Sequence, residues 1–490
     1  MSTTVVDRLP ILHASAVEAG QAAQVPLVVD LDGSLLRTDT LVESLFAVAR
    51  THPLTLLKVP VWLSQGRALL KQGLAERAAI DVRTLPLDSE LVAYLRVQKR
   101  HGRKLILATG ADQKIARAVA DELGLFDAVL ASDGDVDLTA SRKRECLVGK
   151  FGERGFDYIG NSARDLPVWA AARHGLLVTR SPRLTQAAQR VTEVERVFAR
   201  RQPSAATYFG AMRMHHWLKN LLVLVPLVAA HRLYDVALLF QGLVGVLSFC
   251  LAASGIYLLN DLFDLTADRR HPHKKERALA SGKIPLAHAL ALLPCLWVAA
   301  AALGLWLKPS FLAALGVYVA MMLAYSMRLK DIPFVDVSVL SLGYTLRIFA
   351  GSLALGIGVS AWVLGCSVAP FFGLALLKRY AEIVTLNSGL GPELSVRAYR
   401  TSDATLIAGV GITAGSIAVA LLALQPIVEP SDHARWPVWV MSALLLFWTA
   451  HMWLMAHRGN IHGDPVVYAL RDRVSLIFGV STVALLLYTT

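Results

Sequence analysis

Charge is scarce in this sequence. Only 18% of its 490 residues are Asp, Glu, Lys or Arg, against about 25% in a typical soluble domain, while 55% are hydrophobic. A single soluble globule is thereby excluded, and so is a disordered chain. Cysteine is equally sparse. Cys146, Cys250, Cys295 and Cys366 have no CxxC or metal-ligand spacing and three lie in apolar runs, so neither a disulfide framework nor a zinc site is indicated. They read as small buried hydrophobes. The first 24 residues lack a basic stretch followed by an apolar core of about 7–15 residues, so no cleavable signal is visible. The N-terminus is expected to stay in the cytoplasm. Acids are in the minority, 37 against 49 Lys and Arg, for a net charge of +12. Such a balance suits nucleic acid, anionic lipid or phosphorylated substrates, and the placement of the charges decides among them.

Residues 25–182 read as an α/β domain. Val25–Leu31 and Lys104–Ala108 are short apolar runs that end in polar residues and precede helical pattern, as buried parallel strands do. Phe156–Ile159 and Leu176–Thr179 are further candidates, and the alternation predicts a doubly wound sheet. Leu41 to about Arg100 has helical periodicity with Pro53, Pro60 and Pro86 as breaks, which predicts a helical cap over the carboxyl edge. Residues 1–24 are expected to be a tail, and the charge-dense stretch 183–204 a linker. From residue 205 onward the composition changes. Apolar stretches recur that can cross about 30 Å of hydrocarbon, each needing about 20 residues. They predict an all-α domain of nine spans over 205–490, the first of them, near 217–231, being short. Loops after the even-numbered spans hold fourteen Lys and Arg, against Arg232, Lys308 and Arg435 on the other side. The asymmetry predicts an integral, multi-pass protein of a bacterial inner membrane, with the α/β domain cytoplasmic and the C-terminus opposite. Topology then accounts for much of the basic charge, and no nucleic-acid partner is needed. An oligomer is compatible with the pattern.

Asp30-Leu-Asp32-Gly-Ser34 follows the first strand, where open α/β sheets place ligands. One carboxylate can attack phosphorus while the second protonates the leaving oxygen, and a metal must neutralise the crowded charge. Thr109 at the end of the second strand, Lys143 at a helix start, and Asn161 and Asp165 after the third strand are the candidate companions. With them the segment 25–180 resembles the haloacid dehalogenase (HAD) phosphatase superfamily. The resemblance implies Asp30 as nucleophile, Asp32 as general acid and base, Thr109 and Lys143 as phosphoryl-oxygen binders, and Asp30, Asp32 and Asp165 as a magnesium set. Asn161 stands where that family often carries an acid. Lys150 is a rival to Lys143, which the spacing favours.

The second span ends in Asn260-Asp261-Leu-Phe-Asp264-Leu-Thr-Ala-Asp268, with Lys274, Lys275 and Arg277 after it. On a helix advancing about 100° per residue, Asn260, Asp261, Asp264 and Asp268 share an arc of about 100°. Carboxylates gathered there demand cations, and hard oxygen donors suit Mg²⁺ held jointly with substrate phosphates. The basic run would bind further phosphate oxygens. A second polar set, Tyr325, Ser326, Arg328, Lys330 and Asp336, follows the fourth span, and Arg347 lies inside the fifth, where an ionised group is costly. Lys378, Arg379, Glu382, Asp464 and Asp472 fall at span ends and read as snorkelling side chains.

This pattern resembles the UbiA family of intramembrane prenyltransferases, over residues 205–490, through its NDxxDxxxD element. The family's second DxxxD motif is absent, only Asp331 and Asp336 standing there. With Lys219-Asn220 and the Asp-Arg-Arg-His-Pro-His-Lys-Lys-Glu-Arg run, the likeness is to the decaprenyl-phosphate phosphoribosyltransferase branch. That resemblance implies transfer of 5-phosphoribose from phosphoribosyl diphosphate to a polyprenyl phosphate. Mg²⁺ would sit on Asp261, Asp264 and Asp268 beside the leaving diphosphate. Asn260, Lys274 and Arg277 would contact substrate, with Lys219, Lys330 and Arg347 on the lipid phosphate or the ribose 5-phosphate and Tyr325 and Asp336 completing the pocket. His271 is expected to be structural, since a phosphate nucleophile is already ionised. The HAD domain, with Mg²⁺ of its own, is then expected to remove the product's 5-phosphate. The alternatives are prenyl transfer from a prenyl diphosphate to an aromatic acceptor, and a transporter regulated by a HAD module.

Overall fold

The computed structural model describes residues 25–200, 202–272, 274–387, 399–428, 436–461 and 464–489. The expected tail 1–24, with Arg397 and Arg435 of the expected loops, lies outside them. The chain divides into two compact units, one of Met1–Ala211 with Asp261–Leu290 and the other of Met212–Asn260 with Ala291–Thr490.

In the first unit, β1 (Leu27–Val29) is three consecutive buried residues, as in a strand covered on both faces. The chain leaves the sheet for α1 (Thr40–Thr51), a 3₁₀ stretch Pro53–Lys58, α2 (Val59–Gln65) and α3 (Arg67–Ala75), and returns through α4 (Ser89–Arg100) to β2 (Leu105–Asp112). It continues as α5 (Gln113–Leu123), β3 (Ala128–Ser132), α6 (Ala140–Phe151), β4 (Asp157–Gly160), α7 (Leu166–Ala171), β5 (His174–Val178), α8 (Pro182–Gln189) and β6 (Glu193–Phe198). All strand pairs are parallel, in the order β3-β2-β1-β4-β5-β6. The order reverses beside β1, so the carboxyl ends of β1 and β4 border the crevice where such sheets bind ligands.

Two expectations need correction here. The helical insertion is smaller than 41–100, because α4 turns Leu91, Val92 and Leu95 into the sheet core with Leu27, Val29, Leu105 and Leu107. Pro53 and Pro60 open helices instead of breaking them, each in a first turn whose N–H has no intrahelical partner. Nor are residues 183–204 simply a linker. They contain most of α8, capped by Ser181, and β6, which pairs with β5 along one side only. An edge strand needs little buried surface, so its Glu193, Glu195 and Arg196 conceal it in the sequence.

Beyond α9 (Ala205–Ala211) the second unit opens with a 3₁₀ segment, Met214–Leu224, and a five-residue α10 (Val225–Ala229). There follow α11 (Val236–Phe263), α12 (Leu265–Arg270, part of the first unit), α13 (Leu286–Leu307), α14 (Pro309–Met327), α15 (Val335–Leu355), α16 (Ala361–Asn387), α17 (Ala404–Val428), α18 (Trp436–His457), α19 (Pro465–Ala469) and α20 (Arg473–Thr489). Among the described residues seven helices, α11 and α13 to α18, are long and apolar enough to cross a membrane. The chain is an integral, multi-pass membrane protein. Nine full spans are not found. The expected first span is the irregular 214–229 segment, and α20 is shorter than the rest. Small residues admit close backbone approach, as in other membrane bundles. Gly351 of α15 leaves room for the Val223 carbonyl, and a Cβ on Gly373 of α16 would come 3.2 Å from the Gly411 carbonyl of α17.

Candidate active sites

At the carboxyl edge of the sheet, β1 delivers Asp30, β2 Thr109 and β4 the turn bearing Asp165. Lys143 of α6 donates to Asp30 Oδ1 (2.7 Å) and to the Tyr158 hydroxyl (3.0 Å), and Tyr158 donates to Asp165 Oδ1 (2.9 Å). Ser34 donates to Asp30 Oδ2 (3.1 Å). Asp165 Oδ2 accepts the Asn161 and Ser162 amides and the Ser162 hydroxyl. One buried chain of charge therefore joins the two acids through a lysine and a tyrosine. Asp32 accepts the Thr40 amide (2.9 Å) and hydroxyl (3.0 Å). Gly33 between the acids has φ +72°, and a Cβ there would strike the Asn161 side chain. This turn requires glycine.

Burial pushes the Asp30 carboxyl up against the pull of Lys143. Burial also opposes charge on Lys143, but Asp30 and Asp165 outweigh it and hold the ammonium above the ordinary lysine range. Asp32 is pushed up to about 7 by burial and the nearby Asp39, a value suited to a group that gives and takes a proton near neutrality. Lys150 is exposed on α6, whereas Lys143 is buried in the site. Thr109 is buried and its hydroxyl accepts the Ala111 amide (3.0 Å). Tyr158 escaped sequence reasoning, and Ser34, though part of the Asp30–Ser34 motif, was given no role of its own. The available signal was a phenol inside a buried strand.

The acidic element at the end of α11 is not one continuous helix. α11 stops at Phe263, and Asp264, with ψ 8°, starts α12. Asp261 and Asp268 nevertheless converge, since Arg277 NH1 reaches Asp261 Oδ1 (3.2 Å) and Asp268 Oδ2 (2.7 Å). Asp264 turns instead to Arg50 of α1 (3.0 Å). The segment is held to the α/β core by further pairs. Glu43 of α1 binds Arg269 at 2.6 and 3.0 Å, and Asp81 binds Arg270 at 2.6 Å. Gly282 (φ +67°) lies so close to Arg37 that a Cβ would come 2.8 Å from its carbonyl oxygen. His271 accepts the Lys274 amide (3.4 Å) as a turn constituent.

The second unit encloses a cavity of about 390 Å³. Lys219, Asn260, Tyr325 and Arg347 line it, together with Arg213, Tyr257, Tyr344, Lys378 and Asp464. Among the described lining side chains Asp464 is the one carboxylate, and it accepts Lys219 at 2.5 Å. Arg347 is buried on neutral acceptors, the Asn220 amide oxygen (2.7 Å), the Gly343 carbonyl (2.6 Å) and the Tyr318 hydroxyl (2.8 Å). Lys330 donates to Asn260 (3.3 Å) but does not line the cavity. Asp336 is absent from it too. Fully buried, it accepts Arg379 Nε (2.7 Å) and the Tyr399 hydroxyl (2.6 Å), the surroundings of a packing ion. Lys378 and Asp464, read from sequence as snorkelling span ends, are cavity residues.

Residues 221–469 match the UbiA prenyltransferase family, and the chain belongs to that family. It is 33% identical over 276 residues, 54% of this chain and 86% of the relative, to the decaprenyl-phosphate phosphoribosyltransferase of Mycolicibacterium smegmatis. Nodulation protein NoeC of Azorhizobium caulinodans is 35% identical over 275 residues, 55% of this chain and 89% of that one. Uncharacterized protein y4nM of Sinorhizobium fredii is 35% identical over 466 residues, covering 93% of this chain and 89% of its own. An alignment of that length takes in part of the α/β unit as well.

Proposed function

We propose that the membrane domain transfers 5-phosphoribose from phosphoribosyl diphosphate to a polyprenyl phosphate. The observation that carries the proposal is the cavity, whose wall brings Lys219, Arg347 and Lys378 together with a single carboxylate, Asp464. Such an excess is stable when an anion shares the space, and a phosphate group with its charge supplies one. The similarity to decaprenyl-phosphate phosphoribosyltransferases supports the choice of reaction. In it a lipid phosphate oxygen attacks C1 of the ribose, the C1–O bond to the diphosphate breaks, and pyrophosphate leaves. Lys219, Arg347 and Lys378 hold and orient phosphate, and Tyr257, Tyr325 and Tyr344 shape the wall.

Asp261 and Asp268 fit a divalent cation, because their oxygens already converge on one positive group, Arg277. Bound Mg²⁺ would supply charge to the departing diphosphate. Asp264, taken by Arg50, lies outside that pair. In the α/β unit the parallel sheet, the paired acids at β1 and the Lys143–Tyr158–Asp165 chain support a HAD-type phosphatase. Asp30 would attack phosphorus, Asp32 would carry the proton of the leaving oxygen, and Asp30 with Asp165 would hold Mg²⁺ through hard oxygen donors. Its substrate is the 5-phosphate of the lipid product, whose removal makes the sugar transfer effectively irreversible. The excess of basic residues in one set of loops supports a cytoplasmic α/β unit.

The test uses purified protein in detergent with Mg²⁺, a polyprenyl phosphate and phosphoribosyl diphosphate, the lipid product being weighed by mass spectrometry. A ribosylated lipid is expected with wild type and Asp30→Asn, retaining its 5-phosphate in Asp30→Asn alone, and none with Asp261→Asn. No ribosylated lipid, with a prenyl diphosphate consumed on an aromatic acceptor instead, would replace this reading with general prenyl transfer.

A further inference from the structure

The helical insertion carries an apolar face left uncovered by the other described residues. Pro53–Gln65 turns Leu56, Val59 and Trp62 inward onto Val48, Leu70 and Leu74. Leu54, Leu57, Val61 and Leu63 point outward, 79%, 76%, 54% and 54% exposed. Single exposed leucines are ordinary on any protein. Four large apolar side chains within ten residues form a patch, and contiguous apolar patches mark a partner or a membrane.

The choice between those follows from position and charge. α1 feeds directly into this segment, and its end rests on the last residue of the membrane-spanning helix α11. Arg50 NH1 donates to the Phe263 carbonyl (3.3 Å) and to Asp264 Oδ1 (3.0 Å), and the Phe46 ring meets the Phe263 ring edge-on at 5.6 Å. A span ends where hydrocarbon gives way to headgroups, so the chain just after Arg50 starts at the membrane surface. No Asp or Glu occurs between Glu43 and Glu76, whereas Lys58 falls among the exposed apolar residues and Arg67 just after them. An apolar face edged by basic residues is the composition of helices that lie in the bilayer interface.

We propose that Pro53–Gln65 lies in the bilayer interface, with Leu54, Leu57, Val61 and Leu63 at the acyl-chain boundary and Lys58 and Arg67 among anionic headgroups. The α/β unit then has a lipid contact of its own, apart from its covalent link to the spans. The proposal rests on the membrane character of the chain and is independent of the reaction proposed above.

The full chain, with its four native cysteines replaced, is labelled with a nitroxide at Leu57→Cys and reconstituted in vesicles of phosphatidylcholine and phosphatidylglycerol. Collision with oxygen and with a water-soluble nickel chelate reports depth. The label is expected about 5–10 Å below the headgroup boundary, as for interfacial helices, while a label at Arg144→Cys on α6 reads as aqueous. Val61→Cys reads the same face should Leu57→Cys fail to fold. A label as open to nickel as that at Arg144 overturns the proposal. So does label-to-label broadening that persists on dilution in lipid, which would assign the face to a second copy of the chain.

Discussion

Replacing Glu43 by Gln strips the carboxylate from a buried ion pair that joins α1 to the acidic segment after α11. Both side chains are only 4% exposed. Arg269 donates twice to Glu43, and Thr38, beside the Asp30–Asp32 turn, donates to the same carboxylate at 2.5 Å. The glutamine keeps the shape and one acceptor oxygen but not the charge, so the guanidinium stays buried with neutral acceptors alone, that oxygen and the Ala280 carbonyl (2.9 Å). Breaking one side of such a pair costs about 3–5 kcal/mol. At about 1.4 kcal/mol per decade, opening of the segment becomes on the order of 10²–10³ times more frequent. Hydrogen exchange read by mass spectrometry in micelles should show that loss of protection across Asp261–Leu290 and α1. The control is Asp81→Asn, whose partner Arg270 is 62% exposed. An exposed pair is worth roughly 0–1 kcal/mol, so exchange there should change little. Equal protection in Glu43→Gln and wild type would refute the claim that this pair holds the segment in place.

Further expectations follow from the sites. Lys143→Met should lower hydrolysis of a simple phosphate ester by about 10²–10³-fold, as loss of a preorganised charge does, whereas Lys150→Met should leave it unchanged; equal effects would show that Lys143 is misassigned. For Asp32, pushed from 3.8 up to about 7, the folded state binds the proton more tightly than the unfolded chain. Stability from this group is therefore present below about pH 4 and lost as pH rises to about 7. Thermal unfolding with chelator should show that decline, and Asp32→Asn should flatten it. Asp336→Asn should lower the unfolding temperature, because Arg379 and Tyr399 lose charged hydrogen bonds worth about 1.5–3 kcal/mol each, while the folded fraction keeps its transfer rate; a rate lost at full stability would return Asp336 to the substrate site.

Legibility in the sequence tracked burial and chain distance. The central strands were readable because both faces are covered, β1 appearing as an unbroken apolar run and β4 as a mostly apolar one with Asp157 at its start. The edge strands were missed: β6 alternates charged residues with apolar ones, and β3, though apolar in sequence, is only partly buried. At the first site Asp30, Thr109 and Asp165 could be anticipated because each lies toward or beyond the carboxyl end of a strand, and position in a parallel sheet dictates convergence there. Tyr158 could not, because its role depends on the tip of a side chain that counts as apolar in any periodicity. The acidic element exposes the sharper limit. Helical spacing put Asp261, Asp264 and Asp268 on one face, and nothing local contradicts it, since Leu265–Arg270 is itself helical. The break at Asp264 coincides with its pairing to Arg50, 214 residues earlier, and Lys219 finds Asp464 across 245 residues. Periodicity reports only what neighbours along one helix can do for each other, a few tenths of a kcal/mol per pair. A buried charge answers to a larger energy, so its partner is chosen by the fold, wherever in the chain that partner stands.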